Sequence, residues 1–123
     1  MSVIPLQEIA EYTMRIDLEG IPNRIRIYWN EFSDAIKSKM DTNGVWCMSI
    51  SNELFTINSI KIVGGVELMV PYSQINFGGF ALYDMSGENL DPEFEGIGDR
   101  WQLNYIPLSE VVEFRRRLGV EAI

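Results

Sequence analysis

The chain has 123 residues, 46% hydrophobic and 23% charged, which fits one globular domain and leaves no room for two. Ten Lys and Arg stand against 18 Asp and Glu, and a net charge of −8 gives phosphate backbones no general attraction. No apolar run approaches the roughly 20 residues of a spanning helix, and Met1-Ser2-Val3-Ile4-Pro5 holds no signal-peptide core. The single cysteine, Cys47, excludes an internal disulfide framework and fits a reducing compartment.

Period-2 alternation dominates the chain in order. Tyr12, Met14, Ile16 and Leu18 alternate with Glu11, Thr13, Arg15 and Asp17, which predicts a half-buried strand. Glu19-Gly20 supplies a turn, and the next strand places Ile25, Ile27 and Trp29 on one face and Arg24, Arg26 and Tyr28 on the other. Val45 to Ser51 is a further strand, with Trp46, Met48 and Ile50 on one side. Asn52-Glu53 turns into Leu54 to Ile62, where the apolar phase slips from Phe55 and Ile57 to Ile60 and Ile62. That slip predicts a bulge near Asn58-Ser59.

A short extended piece around Leu68 and Val70 precedes Pro71, and Phe80 to Tyr83 follows Gly78-Gly79 as another strand. Asp84 to Asp99 reads as a long acidic solvated loop, and Trp101, Leu103 and Tyr105 alternate as a last strand ending at Pro107. The expected core is Met14, Ile16, Ile25, Ile27, Trp29, Trp46, Ile50, Leu103 and Tyr105.

Two segments depart from the pattern. Phe32, Ile36 and Met40 recur every four residues between Asn30 and Gly44, which predicts a short amphipathic helix. Ser109 can cap a helix over Glu110–Leu118, with Glu110 and Glu113 early, Arg115 to Arg117 late and Gly119 as its stop. The fold expected is an all-β, mainly antiparallel barrel or sandwich of about six or seven strands with a short C-terminal helix. It divides into a β domain over 1–107, with an insertion at about 31–43, and a helical extension over 108–123.

Nothing in the inventory assembles a catalytic site. Histidine is absent, so Ser-His-Asp and Cys-His triads and histidine-ligated zinc cannot be built from this chain. Asp84, Glu88, Asp91, Glu93, Glu95 and Asp99 lack the EF-hand spacing, and a carboxylate pair for glycoside hydrolysis is not set apart in so polar a loop. Gly64-Gly65 and Gly78-Gly79 fit strand-end turns rather than phosphate cradles. The three tryptophans, Trp29, Trp46 and Trp101, sit at alternating strand positions, where core packing explains them better than a sugar-stacking platform. Catalysis, a cofactor and a bound metal are not expected.

The order of the strand residues resembles a known family. Leu18-Glu-Gly20-Ile-Pro-Asn-Arg24-Ile25-Arg-Ile27-Tyr-Trp29-Asn30 is similar to the second hairpin of the baseplate plug proteins of contractile-tailed bacteriophages. The resemblance continues at Ile60-Lys-Ile62-Val63-Gly-Gly65-Val66-Glu-Leu68-Met, at Tyr72 through Phe77-Gly78-Gly79, and at Gly98-Asp-Arg100-Trp-Gln-Leu103-Asn-Tyr105. Ile4-Pro5-Leu6 also fits, so matching stretches cover most of residues 3 to 107. Two departures stand out: Glu31 to Asn43 replaces the family's short turn, and the helix-like tail after Pro107 is extra.

The resemblance implies a structural virion protein, made in the host cytoplasm. It would associate with baseplate hub and tail tube proteins, in several copies around a symmetric tail axis, and close the distal end of the tube until contraction and DNA ejection. No membrane and no specific nucleic acid is expected as a partner. The two departures carry the partner-binding candidates: Phe32, Ile36 and Met40 in the insertion, and Val111, Arg115, Arg116 and Leu118 in the helix. The alternative is a small binding module that recognises a partner peptide by sheet augmentation.

Overall fold

The computed structural model describes residues 1–40 and 42–119. Among the described residues seven strands form two antiparallel sheets. The larger has the order β2 (Glu11–Leu18), β3 (Ile21–Glu31), β4 (Gly44–Ser51) and β5 (Thr56–Lys61). The smaller has the order β1 (Ser2–Ile4), β7 (Trp101–Ile106) and β6 (Gly79–Asp84). Their facing sides share one core, in which Ile25, Ile27, Trp46, Met48 and Ile50 meet Phe80, Leu103 and Tyr105. The architecture is a small sandwich.

Local chemistry sets the register. Leu18 pairs with Ile21 across a two-residue turn in which Glu19 (φ 55°) and Gly20 (φ 75°) both adopt the left-handed region, as a tight hairpin requires. On β4 the step from Met48 to Ile50 faces the step from Ile60 to Ile57, so β5 carries one extra residue there. That bulge falls at Asn58-Ser59 and lets Ile57 and Ile60 both point into the core. The turn between β4 and β5 is longer than expected, spanning 52–55, because the Asn52 side chain accepts hydrogen bonds from the backbone N–H groups of Leu54 and Phe55.

Several expectations need correction. Met14 and Ile16 are half-buried rather than core, because β2 is an edge strand and the opposing sheet has only three strands. Trp29 is also half-buried, at the sandwich's end. The segment around Leu68 and Val70 is not a strand: Glu67 makes one isolated bridge to Ala81, and a 3-10 turn runs over Val70–Tyr72. Strand β1 has no sequence signal and forms by pairing Ser2, Val3 and Ile4 with Tyr105, Asn104 and Leu103.

The two predicted helices are also redrawn. Among its described residues the insertion holds one helical turn, α1 (Asp34–Lys37), too short to bring Phe32, Ile36 and Met40 onto one helical stripe. The terminal helix, α2, runs over Leu108–Arg117 and starts after Pro107 with no side-chain cap, so Ser109 lies inside it. It packs Val111 onto Ala81 and Ile106, with Leu108 and Phe114 beside them.

Candidate functional site

The tip of the β3–β4 hairpin and the long connection from β6 to β7 lie side by side at one end of the sandwich. Phe32 N–H donates to the Asn43 carbonyl (2.8 Å), closing the tip into a compact loop. The facing connection is acidic in composition but firmly held. Trp46 Nε1 donates to the Glu93 carbonyl (2.8 Å), Trp101 Nε1 to the Leu90 carbonyl (2.9 Å), and Glu8 accepts from Gly96 N–H (2.7 Å). Phe94 stacks on Trp46 with ring centres 5.3 Å apart, and Trp29 meets both rings edge-on. The solvated loop expected from composition is therefore anchored at both its aromatic and its backbone groups.

At the base of this connection Arg100 grips Asp84 with two parallel hydrogen bonds of 2.9 and 3.0 Å and reaches Glu88 at 3.4 Å. Asp84 also accepts from the backbone of Ser86 and Leu90. The Arg100 guanidinium, with these further donors, holds the Asp84 carboxyl well below the usual carboxylate range. Two of the candidate carboxylates are thereby spent on fold. Among the described residues no group of acidic side chains or Cys47 gathers in a metal-binding arrangement.

Between the two tips runs a groove of about 520 Å³. Phe32, Met40, Val45, Val63, Leu90 and Pro92 form its apolar lining, and Lys39, Lys61, Asp91 and Glu93 stand among the polar residues around it. Met40 is 50% and Leu90 52% exposed, so apolar side chains reach solvent here. A mostly apolar trough with charges beside it has the chemistry to hold a protein segment.

The structure gathers only part of the predicted partner set. Phe32 and Met40 line the groove, whereas Ile36 on α1 is 48% exposed and is not among its lining residues. Arg116 lies on the exposed side of α2, paired to Glu113 at 2.9 Å, and Leu118, the residue after the helix, is exposed. Val111 and Arg115 are corrected: they are 1% and 8% exposed, turned into the chain's own interior. A helix packed by one face onto a sheet must turn some of its residues inward, and here those two serve.

Sequence reasoning missed Phe94 and Glu67. Phe94 is the lone aromatic of an acidic connection, a signal that this loop packs. Glu67 sits between Val66 and Leu68, and its apolar neighbours hint at burial. Its carboxylate accepts from the backbone N–H groups of Met69 (2.6 Å) and Phe80 (2.8 Å) and from Arg115.

Tyr105 closes the opposite margin. Its hydroxyl donates to the Glu19 carboxylate, which also accepts from Leu108 N–H, tying the β2–β3 turn to the start of α2. Burial first, then the neighbouring Glu19 carboxylate, push the Tyr105 hydroxyl far up from its ordinary value.

A family described as the cyanophage baseplate Pam3 plug gp18 matches residues 1–109, which takes in both sheets, the insertion and the first residues of α2. No curated protein matches the sequence. The chain belongs to the family of the cyanophage Pam3 baseplate plug gp18, a family of structural components of the phage tail baseplate.

Proposed function

We propose that this chain closes the distal end of a contractile tail tube and is displaced or rearranged when the sheath contracts and DNA passes. The observation that carries the reading is the family match over residues 1–109. The molecule's chemistry supports it: the groove is lined largely by apolar side chains that suit a protein contact, and a net charge of −8 beside a DNA channel would not retain the polyanion. In this reading the protein is not an enzyme, needs no cofactor or metal, and is made in the host cytoplasm before joining the virion.

Hub and tube proteins are its partners, in several copies around the tail axis. The β domain over 1–107 is the body. The 31–43 insertion presents Phe32 and Met40 in the groove and the exposed Ile36 on α1, and the extension from 108 presents Arg116 and Leu118. The test is production of particles lacking this chain. Tails that assemble but lose DNA early, or whose tube ends are open, support the closing role; tails that hold DNA normally contradict it.

A second reading has one observation in its favour. Strand β2 is an edge strand of eight residues, and no described strand covers its outer side. It could accept an extended partner segment by sheet augmentation. Backbone amides of β2 that gain protection from hydrogen exchange only in the assembled tail would favour that mode.

A further inference from the structure

We propose that the outer face of the four-stranded sheet, centred on Arg15 and Arg24, docks the acidic connection of a second copy of this chain. The face is unusual for so acidic a protein. Arg15, Arg24, Arg26 and Lys61 all project from it, against only Glu11 and Asp17 on the same face of the described strands. Arg15 and Arg24 are directly opposite each other across β2 and β3, a like-charge placement that weakens an isolated sheet. Arg26, the next outward residue on β3, is satisfied within the chain: it pairs with Glu11 at 2.9 Å and lies over the Tyr28 ring at 4.2 Å. Among the described residues neither Arg15 nor Arg24 has an ion-pair partner.

The complementary surface is on the same molecule but out of reach. Glu93, Glu95 and Asp99 are exposed and have no ion-pair partner among the described residues. Their backbone is pinned by Trp46 and by the Phe94 stack, so little ordering is left for a partner to impose. Phe94 packs on Trp46, whose side chain leaves the sheet on the inner face, whereas Arg15 and Arg24 leave it on the outer face. One chain cannot bring the two together, but two copies can. Such a contact is head-to-tail and closes a ring or extends, according to the rotation between copies. It rests on charge placement alone and is independent of the tube-closing role.

The test is analytical ultracentrifugation of the full chain over a concentration series at about 0.1 and about 0.5 M salt, between which the screening length falls about twofold. The expected result is reversible self-association, weakened at least about tenfold by the higher salt. Arg15→Glu/Arg24→Glu and, separately, Glu93→Lys/Glu95→Lys should each abolish it, and mixing the two variants should restore association between them. All four positions are exposed, and unchanged melting temperatures would show that the variants are folded; Arg15→Gln/Arg24→Gln is the milder substitute if the reversal unfolds. A chain that stays monomeric throughout overturns the proposal, as does association indifferent to the Arg substitutions. Loss of association by both variants without rescue on mixing also overturns it, since the acidic connection would not then be the occupant.

Discussion

Arg115 reaches from α2 into the sandwich and grips the buried Glu67 carboxylate, its Nη2 2.6 Å and its Nε 2.7 Å from Glu67 Oε1. Glu67 has no other way to satisfy that oxygen, since its second oxygen is taken by Met69 and Phe80 N–H groups. A buried pair is a poor stabiliser compared with apolar packing, yet removing one partner strands a charge in low dielectric. The helix is thereby fastened to the body by chemistry as well as by Val111.

Arg115→Ala is expected to destabilise the fold by about 3–5 kcal/mol, measured by denaturant unfolding. Arg116→Ala, one residue along on the exposed side, should cost well under about 1 kcal/mol. Equal effects of the two substitutions would contradict the inward placement of Arg115.

The Asp84–Arg100 pair predicts an acid-sensitive contribution. Because the folded carboxyl titrates below its ordinary value, its stabilisation is complete above the unfolded value of about 4 and is lost as pH falls from there towards the folded value. The difference in melting temperature between the wild type and Asp84→Asn should be constant from about pH 7 to pH 5 and shrink below about pH 4. A gap that grows on acidification would refute the assignment.

Cys47 is expected to be inert. It projects from the outer sheet face yet is only 2% exposed, between Tyr28 and Lys61 in the flanking strands. Burial pushes its thiol up, against the opposing influence of Tyr28, Lys61 and Ser59. A thiol reagent at neutral pH should modify the native protein far more slowly than the unfolded chain. Equal rates would show that the covering side chains do not protect it.

The legible part of this fold is the part that alternation controls. The Glu19-Gly20 turn, the bulge at Asn58-Ser59 and the burial of Ile25, Ile27, Trp46, Ile50, Leu103 and Tyr105 all follow from spacing, because one residue of slip exposes an entire apolar face. Strand β1 was not legible, since three residues carry no period and gain their structure from β7. The half-burial of Met14 and Ile16 depends on which strand lies at the edge, a property of topology rather than of β2 itself. At the candidate site, Phe32 and Met40 could be read as apolar residues in an unexpected place, but their shared groove is made by Leu90 and Pro92 from a distant loop. Arg115 reads as part of a basic run until the partner Glu67 is seen.

Replacing residues 32–42 by a short Gly-containing turn tests the insertion. Asn30 and Glu31 still pair with Val45 and Gly44, so the hairpin below the tip should persist. The variant is expected to fold, with near-native melting, and to be lost from assembled tails. Unfolding, or normal incorporation, would show that the insertion is not a docking element.

The most direct measurement is a cryo-EM map of the assembled tail tip from particles carrying this chain. The account predicts density for the two-sheet sandwich on the tail axis at the distal end of the tube before contraction, with the Phe32–Met40 tip against a neighbouring baseplate protein. Density for the sandwich away from the tube end, or an open lumen at the tip with this chain absent, would contradict it.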